Sequence, residues 1–110
     1  MEQYTITRDG ERDLVFSGEI IASASSSANN ASSSFSGSVG RWTELTLYKT
    51  KGGKYICESI GRTQHQGEHT RHKGTVCETS ECVCEFFGDS WLAKALYAET
   101  DEIDCTIQVD

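Results

Sequence analysis

The sequence predicts an α+β domain: an antiparallel sheet of four to five strands with one or two short helices packed on one face. Three observations carry that prediction. From Asp13 to Ala24 the chain alternates with period two, as a half-buried strand requires. Lys51-Gly52-Gly53 then separates two further strand-like stretches, which is a hairpin signature. Finally, the apolar spacing turns helical in the last third, at Cys82, Val83, Phe86 and Phe87 and again at Trp91, Leu92, Ala95 and Leu96. The predicted order along the chain is β-β-β-β-α-β.

Residues 3–8 read as a short strand, and Asp9-Gly10 is a turn dipeptide. In the next strand Leu14, Phe16, Ile20, Ala22 and Ala24 are expected to share one face, with Gly18 as a gap. Residues 25–40 break the pattern. Ser, Ala, Asn and Gly dominate them, and such a segment buries too little apolar surface to offset its ordering entropy. A mobile loop inside a single domain, residues 1–110, is the expectation. Strands follow at 42–50 and 54–62, with Leu45 and Leu47 on one face of the first and Ile56 and Ile60 on one face of the second. Residues 61–75 lack any large apolar side chain and are predicted to be a solvated excursion. Ser80 is the expected N-cap of the first helix and Gly88 its stop, with Asp89 or Ser90 capping the second. Ile103 to Asp110 alternates strictly, which predicts a closing strand.

Composition excludes broad classes. The chain has 110 residues, 36% of them apolar and 25% charged, so it is neither a disordered polyelectrolyte nor a membrane-spanning helix protein. Its apolar runs fall far short of the ~20 residues such a helix needs. Met1-Glu2-Gln3-Tyr4-Thr5 has no basic region or apolar stretch, so a secretory signal is not expected. Five cysteines, an odd number, argue against a complete disulfide framework. The expectation is a reducing cytoplasm, with most thiols acting as small buried hydrophobes.

The net charge of −7 is unevenly spread: −3 over residues 1–40, +4 over 41–75 and −8 over 76–110. Each pole suggests a use. The acidic third would meet a basic protein partner, with Glu99, Asp101, Glu102 and Asp104 as the contact and occlusion of a basic groove as the mechanism. The basic third offers Arg41, Trp42, Lys49, Lys51, Lys54, Arg62, Arg71 and Lys73 as an alternative contact for nucleic acid or a small ligand, with Trp42, Tyr48 and Tyr55 for stacking. Phe86, Phe87, Trp91 and Tyr97 concentrate in the helical layer. They should be mostly core, and any left exposed would suit a partner surface.

Metal chemistry is the second alternative. His65-Gln66-Gly67-Glu68-His69 resembles the H-x-x-E-H signature of the inverzincin metallopeptidases. The resemblance implies His65 and His69 as zinc ligands and Glu68 as the base. It covers five residues, and Gly67 together with the missing apolar face departs from the helix that signature needs. A structural zinc site would draw on His65, His69, His72 and Cys77. No nucleophile elbow or P-loop spacing is present, so no catalytic residue is assigned. In general character (small, acidic, without a catalytic constellation) the chain resembles the accessory and inhibitor proteins of phages and plasmids, anti-CRISPR proteins among them. The resemblance implies a non-enzymatic protein that binds, and in doing so inhibits, a larger protein.

Overall fold

A computed structural model describes residues 2–26, 41–63 and 70–103. Five antiparallel strands, β1 (Glu2–Ile6), β2 (Leu14–Ser25), β3 (Arg41–Thr50), β4 (Tyr55–Thr63) and β5 (Arg71–Cys77), form one sheet in sequential order. Two helices follow, α1 (Ser80–Phe87) and α2 (Trp91–Tyr97). The α+β class and the helical layer on one face agree with the sequence. The serine-rich residues 27–40 and the predicted closing strand beyond Ile103 lie outside the described residues.

Turn chemistry places the hairpins. Gly10 and Gly53 take the positive φ of 75° and 89° that β-branched or bulky residues avoid. The Lys51-Gly52-Gly53 turn is closed by Gly53 N–H donating to Thr50 O at 2.9 Å and Thr50 N–H donating to Lys54 O at 2.8 Å. Caps bound the helices. Thr79, one residue before the expected Ser80, is the N-cap of α1, its hydroxyl accepting from Cys82 N–H at 3.2 Å. Gly88 ends α1 with φ 82°, and Ser90 caps α2 by accepting from Ala93 N–H at 3.2 Å.

The main core lies between the sheet and the helices. Ala22, Leu45, Leu47, Cys57 and Cys77 from the strands meet Val83, Leu92, Ala93, Leu96 and Ile103. Leu47, Val83, Ala93 and Leu96 are fully buried. Each buried leucine contributes roughly 1.5–3 kcal/mol of hydrophobic stabilisation. Tyr97 Oη donates to Gly88 O at 2.8 Å and ties the end of α2 to the cap of α1.

A second core occupies the opposite face, and it explains two departures from the predicted fold. β2 pairs with β1 through Leu14–Gly18 and with β3 through Gly18–Ser25. The β1–β2 hairpin therefore runs past the end of β3 and folds back over the sheet. Tyr4 and Phe16 stack at 5.6 Å and both rings meet Tyr48, at 4.9 and 5.1 Å. Ile6, Tyr48 and Ile56 are buried beneath them. The hairpin tip reaches the far strand, where Asp9 N–H donates to His72 O at 3.0 Å and His72 N–H donates to Asp9 Oδ2 at 2.8 Å. A Cβ on Gly74 would meet Ile6 Cγ2 at 3.0 Å. The predicted excursion over residues 61–75 is thus corrected at 61–63 and 71–75, while 64–69 lie outside the described residues. Much of it is strand, with β4 running to Thr63 and β5 starting at Arg71. Residues 71–75 of β5 need no large apolar side chain of their own because Ile6 of β1 covers them at Gly74.

The second departure is in β2. Its register shifts between Ile20 and Ala22, pairing Ile20 with Tyr48 but Ala22 with Leu47. This bulge moves the strand's alternation to the other face. Leu14 and Phe16 consequently pack in the aromatic core, while Ala22 and Ala24 pack under the helices. Ile20 is left half exposed. The single face predicted for all five residues is corrected accordingly.

Candidate functional site

Local geometry decides which way each helix faces. In α2 two apolar pairs, Trp91/Ala95 and Leu92/Leu96, run side by side at i, i+4 spacing. The sheet takes the leucine pair together with Ala93. The predicted stripe of Trp91, Leu92, Ala95 and Leu96 is therefore split, and Trp91, Lys94, Ala95 and Ala98 form an exposed row at i, i+3, i+4 and i+7. Trp91 is 55% exposed. Phe86, Phe87 and Tyr97, by contrast, pack against the core, with the two Phe rings edge-on at 5.0 Å.

The helices and the segments that flank them also carry exposed carboxylates. Glu81 and Glu85 on α1, Asp89 before α2, and Glu99 and Asp101 after it are exposed, and none of them takes part in a salt bridge among the described residues. The four carboxylates assigned to a partner divide as follows. Glu99 and Asp101 face solvent, Glu102 is bonded to Lys49, and Asp104 lies outside the described residues. The Glu102 carboxylate raises the Lys49 pKa, first through the hydrogen bond and then through its charge. Glu99 also borders a shallow cavity of about 480 Å³ with Ser23, Ser25, Glu44, Leu45 and Thr46.

The basic residues are arranged differently. Lys49 holds Glu102, Lys54 lies 3.7 Å from Glu78, and Arg62 Nε lies 2.7 Å from Glu44 Oε2. Trp42 Nε1 donates to that same Glu44 oxygen at 2.8 Å. Strand parity sends Trp42 and Arg62 to the face opposite the helices, and Lys49, Arg71 and Lys73 to the helix side. Lys51 and Lys54 flank the hairpin turn at the other end of the sheet from Arg71. Arg41 pairs with Thr63 in the β3–β4 ladder. The structure does not gather these eight residues into one patch.

Glu44 is an acid-sensitive point in this arrangement. Partial burial opposes its ionisation, but the hydrogen bonds from Trp42 and Arg62 and the guanidinium charge outweigh it and hold the pKa below the ordinary 4.5. A carboxyl whose folded pKa is depressed contributes stability above its unfolded pKa and loses it as pH falls through the folded value. Urea unfolding of the wild type should therefore weaken more steeply than that of Glu44→Gln as pH drops from about 5 to 3. Parallel curves for the two proteins would remove the Trp42–Glu44–Arg62 cluster from the stability of the fold.

The cysteines depart most from expectation. Cys77 and Cys82 are joined in a disulfide between the end of β5 and the first turn of α1, and Cys84 is disulfide-bonded as well. Cys57 alone among the described cysteines is a free, buried thiol. The reading of most thiols as buried hydrophobes is corrected to this one residue. A disulfide sulfur has no lone thiolate to offer, so Cys77 is also corrected as a zinc ligand. His72 sits on β5 with Nδ1 buried and without a hydrogen-bond partner, while His65 and His69 lie outside the described residues. Among the described residues no three His, Cys, Asp or Glu side chains cluster as metal ligands. None of the described helices is long and apolar enough to cross a membrane.

Of the four helical-layer aromatics, the sequence did not single out Trp91 as the exposed one. The available signal was the doubled i, i+4 pattern, with more apolar positions than one helix face can bury. Comparison with protein-family models, curated proteins and solved structures finds no match to this chain.

Proposed function

We propose that the protein is a non-enzymatic binding module whose helical layer docks on a basic surface of a larger protein and blocks it. One observation carries this reading: α2 turns Trp91, Ala95 and Ala98 outward, and the exposed Asp89, Glu99 and Asp101 flank that helix in sequence. An exposed tryptophan with small neighbours suits an interface anchor, and the flanking acids suit a rim that steers a basic partner. Three of the cations on the opposite pole are already matched to Glu44, Glu78 and Glu102, so the acidic layer dominates the unneutralised surface. Glu99 and Asp101 are the contacts retained from the sequence reading, with Glu102 held in reserve by Lys49.

The cytoplasmic location expected from the sequence belongs to the same proposal but sits poorly with the Cys77–Cys82 bond, which favours an oxidising compartment. Disulfide mapping of the protein taken from its native cells tests the location: reduced Cys77 and Cys82 support action in the cytoplasm, and an intact bond supports action outside it.

The test of the binding reading is comparative capture at low and high salt. Immobilised wild-type protein should retain a basic protein that Trp91→Ala and the Glu99→Lys/Asp101→Lys variant do not retain, and salt should release it. Equal retention by all three proteins would overturn the assignment of this surface.

A further inference from the structure

We propose that the buried Cys57 thiol exchanges with the Cys77–Cys82 disulfide, moving the free thiol from the core to the first turn of α1. Cys57 Sγ lies 3.9 Å from Cys77 Sγ, and that contact is buried. Both residues point toward the helical layer from adjacent strands. Tyr55 pairs with Cys77 and Cys57 with Thr75, so the two cysteines are diagonal neighbours on one face. Diagonal Cα pairs generally stand roughly 7–8 Å apart, just beyond the roughly 4.4–6.8 Å a disulfide spans, so the backbone must close in for the new bond to form. Cys77 is the last residue of β5, so the small closing movement falls at a strand end.

The exchange is balanced within the chain. Cys57 gives up its proton, and its thiolate attacks Cys77 Sγ in line with the existing bond. The Cys77–Cys82 bond breaks, Cys82 leaves as a thiolate, and that thiolate takes up a proton. One S–S bond forms and one breaks, with no net oxidation and no outside reagent. The product links β4 to β5 and frees α1 from its covalent tie to the sheet.

The two thiols differ in what they can do. Cys57 is fully buried, and burial pushes its thiol up to about 12, so it is inert toward reagents and partners in the folded core. Its ladder neighbours, Leu47 and Thr75, bear no charge. The titratable group that faces it from the helices is Tyr97, itself raised to about 12 by burial and then by the Asp89 carboxylate. None of the described charged residues is buried near it. Cys82 is only partly buried and lies within the first turn of α1, where backbone N–H groups and the helix dipole favour a thiolate. Exchange would therefore convert a sequestered thiol into a reactive one.

Trapping with N-ethylmaleimide under native conditions tests this on the full chain, followed by non-reducing peptide mapping. At pH 8–9 the label should collect on Cys82 while Cys57 becomes bonded to Cys77. The kinetics should be first order, independent of protein concentration, and accelerate about tenfold per pH unit. The Cys57→Ser variant should leave Cys77–Cys82 intact and Cys82 unlabelled. Label on Cys57, label on Cys82 in the serine variant, or a rate that scales with protein concentration would each overturn the proposal.

Discussion

Replacing Gly18 with alanine is expected to lower the unfolding free energy by about 3 kcal/mol or more, the upper range for overpacking a close contact. A Cβ at this position would stand 2.3 Å from the backbone oxygen of Lys49 and 3.0 Å from Thr50 Cα. Backbone atoms cannot rotate aside as a side chain can, so the strands themselves must separate. The position also carries the architecture. Gly18 is paired to Glu2 on one side and Thr50 on the other, at the point where β2 leaves one strand for another. Forcing β2 away from β3 there would lift the first hairpin, loosen the Tyr4–Phe16–Tyr48 cluster and withdraw Ile6 from Gly74. Chemical denaturation with tryptophan fluorescence and aromatic near-ultraviolet circular dichroism would read both effects. A variant within 1 kcal/mol of wild type would mean the hairpin does not depend on that contact.

The second large effect is on binding. Trp91→Ala should weaken the captured complex by about 2 kcal/mol or more, roughly 30-fold in Kd, as truncation of a central aromatic anchor does. Glu99→Lys with Asp101→Lys should act mainly on association, slowing it about 10- to 100-fold at low salt and flattening its salt dependence. Glu102 is left unchanged in that variant, because its reversal would place two ammonium groups together beside Lys49. The Glu99 and Asp101 side chains are exposed, so stability of the charge-reversal variant should stay within about 0.5 kcal/mol of wild type, and the fold of Trp91→Ala is checked by its denaturation curve. Lost affinity in a fully folded variant identifies the surface. Unchanged affinity and salt slope would remove the helical layer from the interface.

Much of the fold was legible because local chemistry and global structure agree. Leu45 and Leu47 alternate as a core-facing strand should, Gly53 sits where a turn needs positive φ, and Gly88 stops α1 where a helix needs a glycine. Reading failed where the deciding contact comes from elsewhere in the chain. Nothing in Arg71-His72-Lys73-Gly74 signals a strand until Ile6 is known to lie over Gly74. The bulge at Ile20–Ala22 is invisible to a period-two count, since one extra residue changes the face of everything after it without changing the composition. In α2, Trp91/Ala95 and Leu92/Leu96 match a helical stripe equally well.

The candidate site divides along the same line. The acidic last third was a property of the sequence, and so was the concentration of aromatic side chains within it. Which carboxylates stay unpaired depended on the sheet bringing Lys49 to Glu102 and Lys54 to Glu78, pairs separated by up to 53 residues. Disulfide pairing was equally out of reach, since spacing alone does not select partners among five cysteines.

By itself, then, the sequence determined the element types, the tight turns and the charge asymmetry, because these follow from backbone sterics, side-chain periodicity and composition acting over a few residues. The tertiary structure alone decided which apolar face each element buries, which charges cancel and which sulfurs meet. Those outcomes belong to contacts between segments far apart in the chain, where packing chooses among arrangements that local propensity leaves equal.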